Sequence, residues 1–469
     1  MTTDTRAAAA PIAPESAPRG MILALASAVL AFSMMQTLLV PALPVFAADL
    51  GIDAATAGWL LTAYLLSGAV AAPVIGSLGD RYGHRRVLMI AMLVFVAGAA
   101  LAGLGTALPV ILAGRVLQGS ATASFPLAVA IVRGRMVGRD QAVAIGWLSG
   151  TLGLGAGLAL VVGGAVTEIA NWPWLFGIGG LLGLASVLLV ARFVPASAPG
   201  RPAPQDLAGI ALLTLVLLPL LLVISQGARW GWLSWPTLAL AALTLVALIA
   251  LIAVERRVAQ PLIAPELVTN RALAATNLLT LFLGFVPYLF YVGLPVLLQA
   301  GAGGQIGHGL GVTATGAALL PGAVLVFLGG RFTPALLARI SGRAVAGLAL
   351  AVMLVGSLGI ACWPGSLGAI IGFFCLIGLG NGIGFAVIAE LIAGHADRAG
   401  LGAALGFNGV LRTVGSAFGT PVTTLVLTAV GVSALGSPGE GTFRALFLLA
   451  SAVSLVGVFA AWLIPARRR

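Results

Sequence analysis

Gly76-Ser77-Leu78-Gly79-Asp80-Arg81-Tyr82-Gly83-His84-Arg85-Arg86 puts four charged residues and a histidine into eleven positions of a chain that is only 8% charged. Apolar runs of roughly 20 residues, 58–78 and 87–105, flank it, and each is long enough to cross a bilayer as a helix. The stretch therefore reads as a short polar hinge between two membrane spans, facing one side of the membrane. That hairpin sets the class of the fold, and the remaining chain repeats it.

Hydrophobic residues make up 60% of the 469 residues, and the mean hydropathy is +1.13. Soluble domains are closer to half apolar and about a quarter charged, so the chain is a polytopic, all-α membrane protein. All 24 basic residues are Arg, with no Lys anywhere. No Walker lysine can hold a nucleotide phosphate and no lysine can form a Schiff base. An enzyme is not expected, and an ATP-driven pump would need a separate ATPase subunit. The net charge of +11 is spread over short loops, where Arg sets topology; no nucleic-acid partner is expected. Cys362 and Cys375 lie in apolar segments, and His84, His308 and His395 in different loops. Neither a disulfide framework nor a metal site follows, and no cofactor is expected. The alanine-rich, lysine-free composition fits a GC-rich bacterial genome, hence a bacterial plasma membrane.

Fourteen apolar segments are long enough to span, at 21–46, 58–78, 87–105, 108–132, 142–166, 173–196, 207–227, 235–254, 273–299, 312–336, 343–363, 367–392, 401–431 and 442–465. Residues 1–20, rich in Ala and Pro, are expected to be a disordered cytoplasmic segment, and 466–469 a cytoplasmic tail. With the N-terminus in the cytoplasm, Arg229 and Arg444 fall at the outer side and Arg115 and Arg412 inside helices. The other twenty lie in or near cytoplasmic segments, as the positive-inside rule requires. Trp59, Trp172, Trp174, Trp230, Trp232, Trp235 and Trp363 gather at the expected outer interface. Three prolines at Pro199, Pro202 and Pro204 cannot continue a helix, so the stretch 197–206 closes a first set of six spans at 21–196. Two spans, 207–254, precede a second set of six at 273–465.

The hinge sequence Gly79-Asp80-Arg81-x-Gly83-x-Arg85-Arg86 resembles the loop between helices 2 and 3 of major facilitator superfamily transporters. The central pair of spans, with Gln226-Gly227-Ala228-Arg229-Trp230-Gly231-Trp232 between them, resembles that of the superfamily's fourteen-span drug:proton antiporter branch. The resemblance implies a major facilitator fold of two six-helix bundles plus two central helices. It also implies a gating role for Asp80, Arg81, Gly83, Arg85 and Arg86, with the aspartate meeting the start of the eleventh core helix near Leu401. A carboxylate is a natural partner for a helix N-terminus.

Leu112-Ala113-Gly114-Arg115-Val116-Leu117-Gln118-Gly119 resembles the fourth-helix motif that the family links to proton coupling. An Arg at a span centre costs about 2.5–3.5 kcal/mol to insert. Arg115 and Gln118 are thus candidates for coupling or for the substrate cavity, unless the Arg only pairs with backbone carbonyls. Asn408-Gly409-Val410-Leu411-Arg412 places a second Arg near mid-membrane in a pattern resembling the branch's penultimate helix. In the fifth span Ala159 and Leu160 stand where the antiporters carry Gly-Pro, while Gly163-Gly164 is kept. Glycines at 150, 153, 155, 157, 163 and 164 read as a surface for close helix packing. In the first span Gln36 and Thr37 replace the acid that fourteen-span exporters often carry; they can bind a substrate or satisfy a neighbouring helix. Asn277, Tyr288, Tyr291 and Asn381 carry the same two readings. Glu390, near a cytoplasmic helix end, is expected in an interfacial ion pair.

These readings imply a monomeric secondary transporter that works by alternating access. It would export small amphipathic compounds such as antibiotics or secondary metabolites by proton antiport; an uptake symporter or facilitator of the same fold is the alternative. Two intramembrane cations without a mid-membrane acid favour anionic or neutral substrates over lipophilic cations, since like charges repel strongly in low dielectric. Asp80, Glu168 and Glu390 are left as the acids near the pathway.

Overall fold

In a computed structural model, the described residues are 19–196, 206–258, 266–301, 306–395, 401–429 and 439–465. The expected disordered segment over 1–18, the proline-rich boundary over 197–205 and the tail at 466–469 lie outside them. Among the described residues the secondary structure is helical throughout. The helices are α1 (Arg19–Thr37), α2 (Leu43–Leu50), α3 (Ala54–Tyr82), α4 (His84–Leu104), α5 (Leu108–Gln118), α6 (Ser124–Arg133), α7 (Gly138–Ile169) and α8 (Pro173–Phe193). They continue with α9 (Leu207–Trp230), α10 (Trp235–Glu255), α11 (Glu266–Thr269), α12 (Arg271–Gln299), α13 (Val312–Leu337), α14 (Gly342–Cys362), α15 (Leu367–His395), α16 (Leu401–Ala429) and α17 (Glu440–Ala461).

Thirteen helical stretches among the described residues are long and apolar enough to cross a membrane. The place of the fourteenth is taken by α9, whose continuous described apolar stretch is Ala208–Ile224. Two spans differ from their sequence outline. The first ends at Thr37, not near 46: the chain turns over 38–42 and restarts as α2 with Pro44 in its first turn. Proline cannot donate to the ladder but suits a helix start. The fourth is broken into α5 and α6 by a 3-10 turn, Gly119–Ala123. There the hydroxyls of Ser120 and Thr122 donate back to Leu117 O and Gly119 O, and also reach Ala91 O and Gly68 O. Such back-bonding competes with the regular ladder and tightens the winding.

The hinge between α3 and α4 is a single residue. Gly83 has φ +91°, a backbone that only glycine enters without strain, and its N–H closes α3 onto Gly79 O at 2.9 Å. Helices alternate in direction, so one face of the bundle carries this hinge (the hinge end) and the other is the far end.

Helices α1–α8 and α12–α17 form two halves that meet along α7 against α13 and α3 against α16. The glycines of α7 make the first seam close. A Cβ on Gly157 would collide with Ala323, and one on Gly164 would lie 2.6 Å from Val312 O. Other glycines of the same helix serve its other neighbour: Gly155 packs on Ser33 of α1 and Gly163 on the Leu38 carbonyl in the turn that follows α1. Without a hydrophobic drive between helices in lipid, such backbone approach supplies the packing energy. The added pair α9 and α10 pack on each other, with α9 lying against α3 and α16. Only 22% of α10's apolar window is buried, which marks it as a lipid-facing rim.

Candidate functional site

A cavity opens where the two halves meet, enclosing roughly 500 Å3 of space free of atoms, its mouth included. From the first half, α1 contributes Ser33, Gln36 and Thr37, and α7 contributes Leu152, Gly153 and Ala156. From the second, α12 supplies Leu283, Gly284, Pro287, Tyr288 and Tyr291; Val326, Asn381, Phe385, Arg412 and Ser416 complete the wall. Pro287 has no N–H to give to the carbonyl of Leu283, so the helix ladder lacks one bond at the cavity wall. The Tyr288 and Tyr291 rings meet edge to face, 5.7 Å apart.

The polar groups in this wall are not equally available. Thr37 donates to Ala156 O at 2.9 Å and Ser33 donates to Leu152 O, so both hydroxyls tie α1 to α7. Gln36 faces the Tyr288 hydroxyl. Asn381 is 4% exposed, and its Oδ1 has no hydrogen-bond partner. Arg412 is the one charged side chain among the described lining residues. Its guanidinium lies over two rings, 5.3 Å from the Phe385 centroid and 5.8 Å from Phe125 of the other half.

Arg115 is placed differently, although the sequence gives it a similar mid-helix setting. It is fully buried and does not line the cavity. Its Nε donates to Leu60 O at 2.7 Å, Nη1 donates to Gln118 Oε1 at 2.9 Å, and both terminal nitrogens reach Met35 O at 3.4 Å. The Tyr64 ring lies 4.4 Å beneath it. Arg115 with Gln118 thus clamps α5 to α1 and α3, the carbonyl-pairing arrangement. Asn408 also sits outside the cavity, donating to Asn277 Oδ1 at 3.0 Å and Thr280 Oγ1 at 2.6 Å. Of the expected cavity residues, the structure brings together Gln36, Thr37 and Arg412, along with Tyr288, Tyr291 and Asn381.

At the hinge end, Asp80 accepts from His84 Nε2 at 2.9 Å and is 80% exposed. Among the described residues its carboxylate makes no other hydrogen bond or ion pair; the side chains at 401–403, where its partner near Leu401 is expected, lie outside them. Arg85 donates to Ala191 O at 2.6 Å, Arg81 lies 5.1 Å from the Tyr82 ring, and Arg86 is exposed. Glu390 is exposed and in no ion pair among the described residues. At the far end the halves are fastened. Glu168 at the end of α7 accepts from Thr313 N at 2.9 Å and Thr313 Oγ1 at 2.6 Å, at the N-terminus of α13. Gln299 Nε2 donates to Pro41 O at 3.4 Å.

Two packed halves, a cavity at their seam and a one-residue glycine hinge flanked by charged residues are features that alternating access requires. A family profile described as Major Facilitator Superfamily matches residues 25–420. The chain belongs to the Major Facilitator Superfamily. An uncharacterized transporter of that superfamily from Mycobacterium tuberculosis is 30% identical over 413 residues, covering 85% of this chain. The chain spans only 58% of that relative's length. The cephamycin export protein of Amycolatopsis lactamdurans is 31% identical over 425 residues, 85% of this chain and 82% of its own. The crystal structure of the human organic anion transporter MFSD10 aligns with a TM-score of 0.61 at 18% identity, over 94% of this chain and 99% of that one. That last likeness concerns the superfamily fold alone.

Sequence reading missed Phe125 and Phe385, the partners of Arg412, because lone phenylalanines in apolar spans carry no signal. It also missed the Glu168–Thr313 contact, where the only available cue was an acid at a span end.

Proposed function

We propose that this protein exports small amphipathic compounds by alternating access, driven by proton antiport, with both termini in the cytoplasm of a bacterial cell. The observation that carries the reading is the cavity at the seam of the halves, whose wall mixes apolar and aromatic surface with polar side chains, beneath a fastened far end. Export by the Amycolatopsis relative supports the direction. On this reading the far end is the outside. The structure would then correspond to an outward-closed conformer, with Glu168 holding the outer gate. Asp80, Arg81, Gly83, Arg85 and Arg86 would engage when the cytoplasmic side closes. A monomer suffices, since the cavity is built within one chain.

A second reading, a facilitator with no ion coupling, is favoured by the lack of any carboxylate among the described lining residues. Proteoliposomes with an imposed pH gradient separate the two. Antiport predicts that reversing the gradient reverses net substrate flux, whereas flux indifferent to the gradient identifies a facilitator.

A further inference from the structure

We propose that Arg412 is the receptor for an acidic group on the substrate, and that the cavity selects aromatic monoanions that also carry a hydrogen-bond donor. The inference deepens the export reading and rests on it only for the direction of movement.

The contrast between the two buried arginines carries the argument. A guanidinium presents five N–H donors in a planar fork. Arg115 spends them on three protein acceptors. Arg412 donates no side-chain hydrogen bond among the described residues: it lies over the faces of Phe125 and Phe385, with Tyr288 nearby in the same wall. An Arg held within a membrane is costly, and ring faces offset only part of the lost hydration. Its planar donors suit a carboxylate, sulfonate or phenolate, which they can grip with two parallel bonds.

The rest of the wall describes the body of that ligand. No described lining residue is acidic, so a lipophilic cation would find no counter-charge and would meet Arg412 instead. Asn381 Oδ1 is buried without a partner and lines the same cavity, so it calls for a donor such as a hydroxyl or N–H. The same wall carries Tyr288, Tyr291 and Phe385, with Leu283 and Val326, surfaces suited to a flat aromatic body. Acid, ring and donor together define the class.

The experiment uses the purified full-length protein at about pH 7 with 6-hydroxy-2-naphthoate as the fluorescent aromatic monoanion, its methyl ester as the neutral control, and ethidium as the cation. Binding is followed in detergent by fluorescence anisotropy, and transport separately in proteoliposomes under a pH gradient. The wild type is expected to bind the anion in preference to ethidium. Arg412→Gln is expected to weaken anion binding about tenfold or more, while the ester changes less than twofold and Arg412→Lys recovers part of the loss. Asn381→Leu should weaken the phenolic anion but not an analogue lacking the hydroxyl. Ethidium bound as tightly as the anion by the wild type, or equal losses for anion and ester in Arg412→Gln, would overturn the proposal. Should Arg412→Gln not fold, the wild-type preference and the Lys variant decide the matter alone. Anion binding without any transport would sink the export reading and leave this inference standing. Gradient-driven transport of ethidium with no anion binding would do the reverse.

Discussion

Replacing Arg115 with Met tests whether that residue is a clamp or a working part. The substitution removes two strong hydrogen bonds, to Leu60 O at 2.7 Å and to Gln118 Oε1 at 2.9 Å. Bonds to a charged group contribute about 1.5–3 kcal/mol each. The stacking on Tyr64 at 4.4 Å adds about 2 kcal/mol for a desolvated pair. Gross loss is therefore about 5–8 kcal/mol, from which relief of the buried charge must be subtracted. A buried acceptor left unsatisfied costs about 1–3 kcal/mol, and Leu60 O and Gln118 Oε1 each lose this donor, so about 2–6 kcal/mol net is the expected figure here. Gln118 makes matters worse, because its Nε2 already lacks a partner and its Oε1 would lose one. For a half of this size about 2–4 °C accompany each kcal/mol, so the melting temperature in detergent should fall by roughly 10 °C. Arg115→Lys should fall between, since a point charge cannot reach all three acceptors. Because Arg115 stands outside the cavity, protein that does fold should keep its substrate KM. A Met variant that melts with the wild type yet no longer couples transport to the proton gradient would refute the clamp and assign Arg115 to coupling.

Three further outcomes follow from the ends of the bundle. Glu168→Gln removes the charge from the α13 N-terminus and one of two acceptors for Thr313, so the outer gate should open more often. A cysteine placed at Ser416 should then react faster with an impermeant maleimide from outside, and unchanged labelling would count against the latch. Gly83→Val forces a branched side chain into φ +91°, a strain of about 1–3 kcal/mol, and should lower the melting temperature. Gly76→Ala, with nothing within 4 Å of the added carbon, should be silent in the same assay. Asp80→Asn should slow turnover while insertion and melting stay as in the wild type; undiminished transport would leave the hinge loop only a role in topology.

The fold was legible because its cues are local. The Gly76–Arg86 hinge, the apolar run lengths and the single-glycine turn all act within a few residues, so the spans could be bounded from the chain. Pro41 and Pro44 are visible too, yet the run 21–46 reads as continuous because its hydropathy does not drop where the helix stops. The site was less legible. Gln36, Tyr288, Tyr291 and Asn381 could be picked out as polar positions in apolar spans, but nothing local tells whether such a side chain faces a cavity or a neighbour. Asn408 proved to bind Asn277 and Thr280, and Thr37 to do both.

By itself, then, the sequence determined a membrane-spanning helical chain and the order of its spans. In hydrocarbon every backbone N–H must find its carbonyl within its own helix, so run length alone suffices. Only the tertiary structure decided which arginine is spent and which is free. Helices that are apolar nearly all round carry no stripe to reveal their buried face. Their rotation is set instead by where glycines let backbones touch, and that packing turned Arg115 into carbonyls and Arg412 into the cavity.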